Sequence, residues 1–377
     1  MQVYLDNAAT TPLDADVLEA MLPYMRDQYG NPSSIHSHGR KVRSGIENCR
    51  KQIAEMLNTS PSEIFFTSGG TEADNTALTQ SIFTKGIKHV LTSRIEHHAV
   101  LHTLEQWRDR AVISLDYVDL DEKGNVDYDH LMAWLNSNKG GLVSLMHANN
   151  EIGNLLDLTR VAQACVEHDC VLHSDTVQTI GHYELDLQAT PVHCIAGAAH
   201  KFHGPKGVGF MYVHHGHKIN PFIHGGAQER NMRGGTENVY GIVGMCKAIE
   251  LAYANLADHR QHIEKLKQRM IDQLVEKISG VDFNGESGNL DKSLYTVLNV
   301  SLPPADDNEM LLFSLDIHQI SASGGSACSS GTNIGSHVLA ALNNDPSRGA
   351  IRFSFSKYNT EAEIDYVVDK VVQVTQG

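Results

Sequence analysis

The sequence predicts an α/β protein with a mainly parallel sheet flanked by helices and a smaller α/β unit beyond it. Two observations point there. From about residue 60 to 215, short apolar runs alternate with helical patterns, which implies parallel strands joined by covering helices. From Val239 to about Ile278, apolar residues recur every three or four positions, which reads as one long helix bridging into a second domain. With 377 residues, the chain is long enough for each unit to bury its own core.

The elements follow in order. Glu63–Thr67 reads as a strand and Thr71–Thr84 as a helix. Lys88–Thr92 is a strand, with a helix over Val100–Arg108. Leu142–Met146, Cys170–His173, His193–Ala196 and Val208–Val213 continue the strand series. After the long helix come a strand over Tyr295–Leu302, a helix near Asn308–Leu315 and a Gly/Ser-rich loop over Ser321–Gly331. A strand at Ala350–Phe355 and a helix from Thr360 complete the pattern. On pattern alone the N-terminal segment fits either unit. Sites in such sheets lie at the carboxyl ends of the strands.

Composition narrows the classes. The net charge of −15 argues against a nucleic-acid partner, which favours a basic footprint. Met1–Asp6 lacks a basic stretch followed by an apolar one, and no apolar run reaches membrane-spanning length, so neither a signal peptide nor a membrane span is expected. The six cysteines form no CxxC pair, which suggests reduced thiols in a cytoplasmic protein. The 22 histidines are scattered rather than set at ligand spacing, and no resident metal is expected.

Several strand ends carry chemistry. Phe65–Ala73 runs from a strand through Ser68-Gly69-Gly70 into a helix start at Thr71. Small residues let a ligand approach the backbone, and free amides with the Thr71 hydroxyl suit a phosphate; taken alone, the segment favours a plain helix cap. Cys170–Gln178 is an apolar strand ending in Asp175, which could pair with a protonated pyridine nitrogen or simply cap a turn. Gln178 lies one turn on, within reach of a ring oxygen. Ala198–Gly207 follows another strand and offers Lys201 for a Schiff base with pyridoxal phosphate (PLP). Lys206 competes, but it lies past Gly204-Pro205 in a turn that exposes it, so Lys201 is preferred.

Three further segments stand out. His97, in Ser93–Ala99, could stack on a planar cofactor or be structural. Cys328 lies among Gly, Ser and Ala in Ser321–Gly331, a loop too polar for a core; an exposed thiol there can act as a nucleophile, while the other five cysteines read as small hydrophobes. Arg352 sits inside an apolar alternation, where it needs a partner. A substrate carboxylate is one and a structural ion pair is the other.

Taken together, the chain resembles the cysteine desulfurases, a class V branch of the fold-type I PLP enzymes. The resemblance runs nearly end to end. It includes Tyr4–Pro12, Thr67–Asn75, Glu96-His97, His147–Gly153, His173–Gln178, His200–Gly207, Gly225–Thr236, the Cys328 loop and Ile351–Ser354. It implies a large PLP-binding domain over residues 12–256 with a seven-stranded sheet, and a small domain made of 1–11 and 257–377 that carries the cysteine loop. In this reading Lys201 holds the cofactor and moves protons, Asp175 pairs with the pyridine nitrogen, Gln178 with the ring oxygen, and His97 stacks on the ring. Gly70, Thr71 and His200 hold the phosphate, and Thr236 reaches it from the other subunit of a homodimer. Asn150, beside the cofactor, and Arg352 bind the substrate carboxylate. Cys328 accepts sulfur from L-cysteine, leaving L-alanine.

The sulfur then passes to an acceptor protein or iron–sulfur scaffold, or toward tRNA or cofactor thiolation, with Cys328 meeting a cluster only in passing. One departure is Ala198, where the family usually has a phosphate-binding serine. The alternatives are a selenocysteine lyase, another class V aminotransferase, or a non-catalytic scaffold subunit of the same fold.

Overall fold

A computed structural model describes residues 1–305, 308–324 and 335–376. The chain enters through β1 (Val3–Tyr4), then α1 (Ala15–Arg26) and α2 (Ser37–Met56). The alternating region follows: β2 (Ile64–Thr67), α3 (Gly70–Lys85), β3 (His89–Thr92), α4 (His98–Asp109), β4 (Ser114–Tyr117), α5 (Tyr128–Ser137), β5 (Leu142–Ser144), α6 (Leu158–Glu167), β6 (Val171–Asp175), β7 (Cys194–Ala198) and β8 (Gly209–Val213). Local chemistry sets the helix ends. Asp14, Asp127 and Asp157 accept from backbone amides at the starts of α1, α5 and α6. α3 stops at Gly86, whose φ of +66° is open to glycine at little cost.

These strands form one seven-stranded sheet in the order β2-β8-β7-β6-β5-β3-β4. The expected parallel pairing holds from β4 through β7, while β8 runs antiparallel to both its neighbours. β7, β8 and β2 are buried along their whole length, so they read as unbroken apolar runs rather than alternations. Helical spacing does the rest: Val42, Ile46, Cys49 and Ile53 line one face of α2, and Leu158, Val161, Ala162 and Cys165 one face of α6. Both faces join the main core with Phe66, Leu172, Phe210 and Tyr212.

The long helical pattern is two helices, α7 (Val239–Ala254) and α8 (Leu256–Lys277). The expectation of a single helix is corrected at Asn255, whose φ/ψ of −122°/21° leaves the helical region. The chain continues through β9 (Asp282–Phe283), β10 (Val297–Pro304), α9 (Leu311–Ile317), β11 (Ile320–Ser321), α10 (His337–Ala341), β12 (Arg348–Ser354) and α11 (Glu361–Gln376). β12, β10 and β9 make an antiparallel sheet, and α8 and α11 pack on it in a second core with Leu266, Leu298, Phe353 and Val367. β1 pairs in parallel with β11, which puts Val3 and Leu5 in this second core. No described helix is long and apolar enough to cross a membrane.

Candidate active site

The sheet brings its strand ends together at one cavity of about 250 Å³. Gly70 and Thr71 from α3, His97 before α4, Asn150 after β5, Asp175 at the end of β6 and Gln178 after it, and His200 and Lys201 after β7 all line it. Arg352 comes from β12, and Ala8 and Ala9 from the N-terminal segment. Sequence patterns far apart in the chain therefore converge on one wall, because parallel strands end on the same edge.

Each group is placed by its neighbours. The Lys201 ammonium donates to the carbonyls of Ala8 and Ala9 at 2.5 and 3.0 Å. Gln178 Nε2 donates to the Ala8 carbonyl at 3.1 Å. Lys206 is exposed and outside the cavity, as its turn suggested. His97 caps α4: its Nδ1 accepts from the Ala99 amide at 3.1 Å, which leaves the proton on Nε2. Burial lowers its pKa, with Asp175 opposing, so the ring is neutral at neutral pH. His200 is pushed down to about 4 by burial and by Lys201 and Lys206; its Nδ1 lies 3.2 Å from Thr10 Oγ1.

Buried acid dominates the floor. Asp175 is 6% exposed, and its Oδ1 accepts from the Val177 amide at 2.9 Å. Burial raises its pKa, against the opposing charges of His97 and Lys201. Asp74 and Glu96 lie behind it, both fully buried, and desolvation with mutual repulsion holds both well above the ordinary carboxyl range. Asp74 Oδ1 and Glu96 Oε2 have no hydrogen-bond partner among the described residues. Asp74 and Glu96, so placed, hold their protons, and a cation beside Asp175 favours its charged form.

At the opposite wall α3 starts at Gly69 with no side-chain cap. The first amides of a helix have no partner within the helix, and its dipole favours an anion there. Ala198 lines the same wall and adds no hydroxyl. The donor set thus pairs a lysine with a buried carboxylate at one end and an uncapped helix start at the other. That fits PLP: an aldehyde for Lys201, a ring nitrogen for Asp175 and a phosphate for Gly70, Thr71 and His200.

Arg352 is 1% exposed. Its Nη2 donates to Asp6 Oδ1 at 2.8 Å, and its Nη1 to the Asn150 carbonyl at 3.1 Å. The structural ion pair foreseen for this arginine is present, with Asp6, and its side chain also lines the cavity.

Thr236 is not brought to this cavity. It is exposed and lies beside Phe66, Arg233 and Gly235 at a separate hollow. Cys328 falls outside the described residues. Asp74, Ala8 and Ala9 escaped the residue-by-residue reading; the only signal was the run of small residues after Asp6, since an aspartate inside a helix reads as solvated. Away from the cavity, Glu63, His214 and His215 put ligand-type atoms within 4.8 Å of one another. Both Glu63 oxygens there are already taken by Thr59, Ser60 and His215.

Residues 3–367 match the aminotransferase class-V family. A protein of Dictyoglomus turgidum named cysteine desulfurase IscS is 41% identical, covering 100% of this chain and 95% of its own. One of the same name from Methanosarcina thermophila is 41% identical over 99% of this chain and 92% of its own. Among solved structures, a NifS-like protein superposes with a TM-score of 0.91 at 38% identity, covering 99% of both chains.

Proposed function

We infer the activity from the premise that this chain belongs to the aminotransferase class-V family: it is a cysteine desulfurase that takes sulfur from L-cysteine and leaves L-alanine. The convergence of Lys201, Asp175, His97 and Arg352 on one cavity carries the reading. PLP, when bound, supplies an aldehyde for amine exchange and a ring that stores the electron pair left on the substrate carbon.

The chain supplies the rest. Lys201 Nζ holds the cofactor, then takes the proton from the substrate Cα and returns it. Asp175 would pair with the pyridine nitrogen and favour its protonated form. The neutral His97 ring would stack on the cofactor, with its Nε2–H available. Gly70, Thr71 and His200 hold the phosphate, and Thr236 of a second copy adds a donor in a homodimer. Arg352 and Asn150 fix the substrate carboxylate, which sets the Cα–H over Lys201. The Cys328 thiolate attacks the substrate sulfur and forms a persulfide as the carbon–sulfur bond breaks. The electron pair stays with the carbon skeleton, which leaves as alanine once protonated. Sulfur then moves to an acceptor protein or iron–sulfur scaffold in the cytoplasm. The division into residues 12–256 and 1–11 with 257–377 belongs to the same reading, and is supported by the two cores.

The test is incubation of the PLP-loaded enzyme with L-cysteine. Alanine should appear, together with a mass increase of one sulfur on Cys328, and borohydride should trap the cofactor on Lys201. If Cys328→Ala still releases sulfur at the wild-type rate, a selenocysteine lyase or aminotransferase reading replaces this one. A protein with no PLP absorbance and no adduct on Lys201 would be a scaffold subunit.

A further inference from the structure

Asp6 stands where the N-terminal strand, the second sheet and the segment leading to Cys328 meet. One oxygen does two jobs. Asp6 Oδ1 accepts from Arg352 Nη2 at 2.8 Å and from Ser323 Oγ at 2.8 Å. Ser323 and Arg352 are also paired through their backbones, with the Ser323 amide on the Arg352 carbonyl at 3.2 Å and the reverse bond at 2.6 Å. Asp6 itself bridges to Ser354 at the end of β12. The guanidinium is therefore gripped from one side by Asp6 and from another by the Asn150 carbonyl. Its Nε is buried with no partner among the described residues.

We propose that Asp6 is a positioning residue for sulfur transfer: it orients Arg352 for the substrate carboxylate and ties that arginine to the root of the segment bearing Cys328. The proposal rests on Arg352 being the carboxylate anchor. Two effects oppose each other. The Asp6 charge weakens the pull of Arg352 on a second carboxylate, whereas its hydrogen bond fixes the guanidinium plane before the substrate arrives. Arg352 is 1% exposed, and a buried charge stripped of its partner is strongly disfavoured and shifts to find another. Orientation therefore outweighs charge competition. The same oxygen makes the anchor and the loop root move together, so a seated carboxylate is registered where the cysteine segment begins.

The test uses the PLP-loaded enzyme and steady-state alanine formation from L-cysteine, with Asp6→Ala, Asp6→Asn, Arg352→Lys and the double variant Asp6→Ala/Arg352→Lys. Asp6→Ala should raise KM about tenfold, the scale of one hydrogen bond to a charged group. Asp6→Asn should lose much less, because its amide oxygen can accept from both Arg352 and Ser323. The double variant should bind L-cysteine no worse than Arg352→Lys alone. Wild-type KM in Asp6→Ala, or penalties that simply multiply in the double variant, would overturn the proposal while leaving Arg352 as the anchor. Wild-type KM in Arg352→Lys would remove the anchor and this inference with it. If Asp6→Ala melts below the assay temperature, Ser323→Ala is read instead. It removes only the side-chain hydrogen bond to Asp6, leaves the Ser323–Arg352 backbone pairing in place, and should lower kcat at unchanged KM; wild-type kcat would end the proposed link through Asp6 to the cysteine segment.

Discussion

At the level of single residues, the site depends on one carboxylate among several being charged. Asp74 and Glu96 keep their protons because burial and mutual repulsion raise both. Asp175 lies beside His97 and Lys201, whose positive charge lowers its pKa against burial. Asp175→Asn keeps the shape and removes the charge. It should leave the melting temperature near wild type and cut kcat for alanine formation by about a hundredfold, the scale for losing one preorganised electrostatic partner. A loss of less than about threefold would dismiss the role. Asp175, Lys201 and His97 were legible because each follows a strand, where little but chemistry explains a charged or imidazole side chain. Asp6 was visible only as part of a motif, because nothing local tells of a partner 346 residues away. Asp74 was hidden inside a helix that has no solvent face at that point.

Among the elements, strands were legible and their directions were not. An apolar run looks the same whichever way it points, so the reversal of β8 needed the coordinates. The break between α7 and α8 was missed for a similar reason. No glycine or proline marks it, and the apolar spacing continues across Asn255. The loop before α7 has its own anchor. Arg50 of α2 meets Glu229 in two hydrogen bonds of 2.8 Å, and the Phe66 amide adds a third at 2.8 Å. Glu229 itself is held at φ +44°, a conformation a non-glycine residue adopts only when its surroundings impose it. Glu229→Ala removes the buried carboxylate facing Arg50, leaving it the half-exposed Glu47 and the Ile64 carbonyl, and should cost about 3 kcal/mol in urea unfolding. A loss below about 1 kcal/mol would show that the pair does not hold the loop.

For the whole molecule, pH becomes a stability variable. Burial pushes His147, His182, His200 and His203 down to about 4, and His173 to about 3, from an ordinary 6.5. The folded state then binds fewer protons than the unfolded state between about pH 4 and 6.5, and stability rises with pH across that window. Asp74 and Glu96 act the other way. Their raised pKa values favour the folded state at low pH, and that contribution fades as pH rises past the unfolded carboxyl range. The lowered imidazoles, which also include His98, His193 and His217 at about 4, outnumber the raised carboxyls, which also include Asp175 and Glu237. The melting temperature should therefore fall as pH drops from 7 to 5, each such imidazole contributing at most about 2 kcal/mol over those two pH units. A flat or rising profile would contradict this balance.

The meeting of the chain's two ends also bears on the order of synthesis. Asn7 Nδ2 donates to the Ser354 carbonyl, and Arg352 reaches Asp6, so this corner of the cavity joins residues made far apart in time. The wall that fits PLP lies between residues 70 and 201 and leaves the ribosome long before β12. A nascent chain can present Lys201 and Asp175 while still lacking Arg352. Among the residues lining the cavity, Arg352 is the last to be made.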